Sequence, residues 1–276
     1  MSDPASHAQD STAFEFPQIL GGEVHLPKIP LGSYELQLTK YMVIEVFVAI
    51  ALLTAFIYVA RCLKAGGPPK GRFLNLFETL LVYIRDNVAR TAIDKHHADA
   101  YLPFLWTVFF FILFCNLFGM LPWMGSPTGS IGTTGFLALT SFLVVVGTGI
   151  KAHGPIGFWI GLVPRMEFPF LLSITLKPIL VAMLFVIEVV SLFIKHGVLA
   201  IRLWANMFAG HVVLAVFLSF IAAAADSTFF VWGGVTVLSI AMSLAISMLE
   251  LLVAFLQAYI FTFLTALFIG GAIHQH

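Results

Sequence analysis

Charge is what this 276-residue chain lacks: 10% of its residues are charged and 60% are hydrophobic, where a typical soluble domain has about 25% and about 45–50%. So few charges cannot cover that much apolar surface, which excludes an ordinary soluble domain. The charge-free runs exclude a merely peripheral membrane protein. Basic and acidic residues balance at 14 each, so there is no basic footprint for nucleic acid. Cysteine is scarce. Cys62 ends one apolar run and Cys115 lies inside another, and both read as reduced, small apolar residues outside any disulfide framework. Nor is a cleavable leader expected: Met1–Tyr41 is polar and acidic, without the basic-then-apolar order of a signal. The first apolar run is therefore expected to stay as an anchor. There is no HExxH, no Gly-rich phosphate loop and no Gly-x-Ser-x-Gly elbow, so the sequence marks neither a catalytic site nor a cofactor or metal.

What is present is a series of membrane segments. Met42 to Ala60 is apolar apart from Glu45, and predicts a first membrane helix over 42–63. The loop 64–100 follows, with Arg61, Lys64, Lys70, Arg72, Arg85, Arg90 and Lys95 in or beside it against Glu78, Asp86, Asp94 and Asp99. Its basic excess places it in the cytoplasm and the polar segment 1–41 outside. Within the loop, Phe73, Phe77, Leu80, Leu81, Ile84 and Val88 recur at helical spacing. They predict an amphipathic helix over 73–90 lying in the membrane interface. A membrane hairpin spans 101–150 and a second cytoplasmic loop 151–173. In the remainder, 174–273, two long helices are expected. Val235 to Ile269 alone has no proline or glycine in 35 residues. Such a helix measures about 52 Å against a hydrocarbon core of about 30 Å, so it must tilt. The fold class is an all-α integral membrane protein: about five membrane helices, the last two long and steeply tilted, plus an interfacial amphipathic helix.

Polar residues inside those last two helices are the informative ones, because a charge at membrane depth costs from about 2.5 to over 10 kcal/mol. Glu188 and Glu250 can neutralise by taking a proton; Arg202 cannot discharge. At ~100° per residue, Glu188, Lys195, Arg202 and Asn206 fall within roughly 60° of one another, whereas His211 points away from Arg202. On the next helix, Ser239, Ser243, Ser247, Glu250, Ala254, Gln257 and Phe261 form one stripe of mostly small or polar residues, suited to helix packing or to flanking water. Bland readings compete. Glu188 with Lys195 reads equally as an ion pair that orients helices, the serines as bonded to their own backbone, His211 as a packing histidine, and Asn116 as a helix–helix hydrogen bond. His96-His97-x-Asp99 reads as solvated. Only Arg202 has no good bland reading.

Arg202-Leu-Trp-Ala-Asn206-Met-Phe-Ala-Gly-His211, followed by Glu250 and Gln257, closely resembles the signature of subunit a of the F-type ATP synthase. Upstream, Asn116-Leu-Phe-Gly119-Met-Leu-Pro122 is similar to that family's Asn-x-x-Gly-x-x-Pro segment. Many bacterial members carry an acid where this chain has His211 and a histidine where it has Glu250; the exchanged arrangement resembles mitochondrial and related bacterial forms. The proline common after the lysine of the Lys195 segment is His196 here. The resemblance implies a stator moving protons through two offset half-channels to and from a rotating ring of small proteolipid c subunits, in a complex that includes peripheral-stalk b subunits. Arg202 would be the gate between the half-channels. His211, Glu250 and Gln257 would serve the outer one and Glu188 the cytoplasmic one, with Asn206 orienting water or Arg202. Asn116, Gly119 and Pro122 would be structural. The expected setting is the lipid of a bacterial plasma (inner) membrane, multi-pass, with the N-terminus outside and the C-terminus cytoplasmic. The competing class is a stand-alone cation/proton transporter, which predicts glycine-broken helices around one central site.

Overall fold

The computed structural model describes residues 13–15, 23–31, 34–64, 71–121, 125–163, 177–225 and 228–274. Five of its helices are long and apolar enough to cross a membrane. The first is α1, Lys40–Lys64. It is followed by α2, Arg72–Tyr83, a π-helical segment, Ile84–Ala89, and the single turn α3, Arg90–Ala92. Together they occupy the place of the expected amphipathic helix. The hairpin is α4, Ala98–Gly119, and α5, Ile131–His153. A short helix α6, Pro155–Gly161, leads toward the two long helices, α7, Lys177–Ala223, and α8, Phe229–Ile273.

Two features fall outside the sequence reading. The polar segment before α1 holds two antiparallel hairpins: β1 (Ala13–Glu15) pairs with β2 (Glu23–His25), and β3 (Lys28–Leu31) with β4 (Tyr34–Gln37). Strands of three or four residues carry too little alternation to stand out in sequence. The second feature is α6, which starts with Pro155 in its first turn after Gly154 at φ +79°. Proline's fixed φ suits a helix start, and glycine supplies the left-handed turn before it.

The chain divides into two compact units. One comprises Met1–Asn75, Val108–Thr134 and Arg202–Tyr259; the other Leu76–Thr107, Gly135–Ile201 and Ile260–His276.

The first unit is held by buried polar bonds as well as by aromatic packing. Asn116, fully buried, donates to the Ala254 carbonyl at 3.3 Å and accepts from Thr128 Oγ1 at 2.6 Å. Ser126 Oγ lies 2.7 Å from the Thr128 hydroxyl and donates to the Cys115 carbonyl at 3.4 Å. Gly119 permits this turn, because a Cβ there would collide with Ser126. Glu45, the one acid in α1, accepts from Thr133 Oγ1 at 2.7 Å. Phe47 meets Phe118 edge to face, and Phe56 meets Phe110 in the same way. Pro122 lies outside the described residues.

In the second unit the interfacial segment is tied to its neighbours. Trp106 Nε1 donates to the Leu81 carbonyl at 3.0 Å. Gly270 of α8 packs so closely on the Ala92 carbonyl that a side chain there would overlap it. The π segment inserts an extra residue into the helical register. It buries Ile84, Val88 and Ala89 while Arg85, Asp86 and Arg90 form an exposed cluster, with Asp86 Oδ1 at 3.0 Å from both Arg85 Nε and Arg90 Nη1. The hydrogen bond from Arg85, joined by the charge of Arg90, holds the Asp86 carboxyl below its ordinary range. Phe158 of α6 is buried against Gly149 of α5, where again no Cβ would fit.

Candidate proton-path site

The helices that carry the candidate residues are the longest in the molecule. With 47 residues in α7 and 45 in α8, each is about 70 Å long at ~1.5 Å per residue. Helices so long and so apolar cannot stand along the normal of a core about 30 Å thick. They are also scarcely covered by the rest of the chain. In the most apolar stretch of α4, 56% of residues are buried, but only 6% in α7 and 11% in α8. Two faces of high apolarity are thus left for lipid or for another subunit.

On α7 the buried line is Leu199, Leu203 and Met207, and on its exposed edge sit Arg202 and Asn206. Among the described residues no side chain pairs with the Arg202 guanidinium. Asn206 Nδ2 donates to Gln257 Oε1 of α8 at 2.9 Å, so its amide links the two long helices, where the sequence suggested a role toward water or Arg202. Gln257 is buried, and so are Ser239, Ala254 and Phe261 of the same stripe; Ser243, Ser247 and Glu250 are half-buried. The seven residues therefore lie on the packed side of α8, as their spacing predicts.

Glu250 is brought into this arrangement by a residue the sequence reading left without a role. Gly210 has no side chain, and the Glu250 carboxyl occupies the space where a Cβ would be. The signal was available, since small residues let helices approach closely at membrane depth. Glu250 Oε1 and His211 Nε2 are each buried with no hydrogen-bond partner. Buried polar atoms are nearly always satisfied, yet among the described residues Arg90 Nε, His196 Nε2, Thr236 Oγ1 and Ser243 Oγ share this unpartnered state.

Glu188 and Lys195 belong to the second unit. Seven residues apart on a continuous helix, they stand about 10 Å apart along its axis and form no ion pair; Lys195 is exposed and Glu188 half-buried. His196, where the family's proline is replaced, leaves α7 unbroken. Its ring is buried between Phe142 and Phe268, at 5.3 Å and 5.0 Å, with Nδ1 donating to the Leu192 carbonyl at 2.9 Å. The helix runs on through this position, since the histidine keeps the backbone N–H that proline lacks.

A multi-pass helical membrane protein whose two long helices are little covered, and whose Arg202 has no partner among the described residues, fits the class that moves ions across membranes. The model of the family described as ATP synthase A chain matches residues 42–270. "ATP synthase subunit a" of Chloroherpeton thalassium is 39% identical over 276 aligned residues, covering 98% of this chain and 76% of that protein. The proteins of that name from Myxococcus xanthus and Chlorobium phaeobacteroides are 39% and 38% identical, covering 91% and 96% of this chain and 78% and 73% of their own lengths. The chain belongs to the ATP synthase A chain family.

Proposed function

We propose that this chain carries protons through two offset half-channels beside a rotating ring of proteolipid c subunits, coupling their flow to rotation. Family membership makes it the membrane-embedded, non-catalytic proton-translocating subunit of an F-type ATP synthase. The half-channel assignment, the ring and peripheral-stalk b subunits as neighbours, and a bacterial inner membrane with the N-terminus outside are our reading.

The observation that carries it is Arg202, exposed on an apolar helix and without a partner among the described residues. A permanent cation there is suited to an anion brought to it by another subunit. Brought within a few ångströms of a ring carboxyl, it lowers that group's pKa by about 1–3 units, or about 1.4–4 kcal/mol. A protonated carboxyl reaching Arg202 gives up its proton, passes as an anion, and is reprotonated only beyond it. The driving force is about 2.3 kcal/mol per charge per 100 mV, comparable to that attraction. Arg202 therefore gates the ring without trapping it.

His211, Glu250 and Gln257 serve the outer half-channel, and the orphaned His211 Nε2 and Glu250 Oε1 support a wet proton path there. Glu188 serves the cytoplasmic half-channel, and Asn206 holds Gln257 in place. A stand-alone transporter would need interrupted helices around a central site, whereas α7 and α8 run unbroken. In inverted vesicles, Arg202→Ala should abolish ATP-driven acidification and open a passive proton leak. Acidification that survives this substitution would refute the gate.

A further inference from the structure

The loop between α3 and α4 and the end of α8 place three side chains together that no proton path uses. Asp94, His97 and His274 each offer one ligand atom, and the three atoms lie within 4.8 Å of one another. We propose that they form a site for a borderline divalent transition metal, Zn²⁺ being the type case, that latches the end of α8 to this loop.

The donor set fits that ion class: two imidazoles and one carboxylate suit Zn²⁺ and its neighbours, not Mg²⁺ or Ca²⁺, which take oxygen. Three protein ligands leave a fourth tetrahedral position for water. Bond lengths of about 2.0–2.2 Å put tetrahedral ligands about 3.3–3.6 Å apart, so closure asks for a shift of about one ångström. All three residues are exposed, so nothing has to unpack to allow it.

Outer contacts already hold two of the ligands. His274 Nε2 donates to the Ile93 carbonyl at 3.2 Å, the kind of outer partner that orients a metal-binding imidazole. The Lys95 backbone N–H binds Asp94 Oδ1 at 2.6 Å, while Asp94 Oδ2 faces His97 Nδ1 at 4.0 Å. The His97 and His274 rings meet edge to face at 6.2 Å. Asp94 has φ +116°, just past the last turn of α3, where glycine or asparagine usually supplies a positive φ. An aspartate kept in that conformation has a reason beyond ending the helix. The neighbours in sequence are not the partners in space. Asp99 goes instead to Arg90 Nη2, at 3.5 Å.

The test uses the whole purified ATP synthase, free of polyhistidine tags, equilibrated with micromolar Zn²⁺ and desalted before metal analysis. The wild-type complex should retain about one Zn²⁺ more than His97→Ala or His274→Ala, consistent with a single three-ligand site. Asp94→Asn, a nearly isosteric change, should lower retention without disturbing assembly, and His96→Ala should leave it unchanged. Co²⁺ in place of Zn²⁺ should give a visible d–d band in wild type that both histidine variants lose. Equal metal content in wild type and all three ligand variants would overturn the site. So would loss confined to His96→Ala, or no Zn²⁺ retained by wild type above the buffer blank.

Discussion

Two polar clusters inside one unit are in opposite states. Around Asn116, every polar atom described has a protein partner: Asn116 to Ala254 and Thr128, Thr128 to Ser126, Ser126 to Cys115. Around Gly210, Glu250 Oε1 and His211 Nε2 have none, and Arg202 is an unmatched cation. The first cluster is closed, since each hydroxyl and amide is taken up by protein neighbours. The second is open, with lone pairs and a charge left for mobile partners. The two clusters differ in how far their hydrogen bonds are satisfied within the described residues.

That contrast can be broken at either cluster. Gly210→Val drives a branched side chain into the Glu250 carboxyl, and should reduce ATP-driven acidification to background in vesicles whose complexes still assemble. If acidification is normal, Glu250 does not need its place over Gly210. In the other unit, Glu188→Gln removes a proton carrier while keeping shape. It should slow transport by about 10²-fold, the lower end of what a positioned proton-transfer group contributes, with no passive leak; an unchanged rate removes Glu188 from the path. The closed cluster should behave differently. Asn116→Ala removes the bonds to the Ala254 carbonyl and from Thr128 and should cost about 1–3 kcal/mol. Thermal unfolding of the detergent-solubilised complex would show this, with near-normal pumping by complexes that survive. The smallest effect is expected at Asp86. Because its carboxyl titrates below its ordinary range in the fold, its stabilising contact is complete above the unfolded-state value and is lost as pH falls through the folded one. Hydrogen-exchange protection over residues 84–92, relative to the intrinsic rate at each pH, should fall with acid in wild type and lose that dependence in Asp86→Asn.

Much of the architecture could be read from the sequence because membrane spans follow from length and the absence of charge, and both are local. The packed stripe on α8 was legible for the same reason, as a period of three and four along one helix. Contacts that close over long separations were not. Nothing near Gly210 names Glu250 as the group above it, and nothing near His97 names His274. Asn206 was assigned toward water because its partner Gln257 lies on the following helix. The π segment was missed because an amphipathic pattern survives one inserted residue, and the β hairpins because their strands are too short to show a period.

That inserted residue limits how the gene can change. Deleting one residue between Ile84 and Ala89 would restore a regular α-helix with its two flanks still in register, but adding one more would turn everything before it by about 100°. Leu74 and Phe77, buried in the present register, would swing off the packed face, and the Trp106 bond to the Leu81 carbonyl would be lost. In-frame insertions should therefore accumulate in relatives on the 66–69 side of this helix and be purged from 84–89.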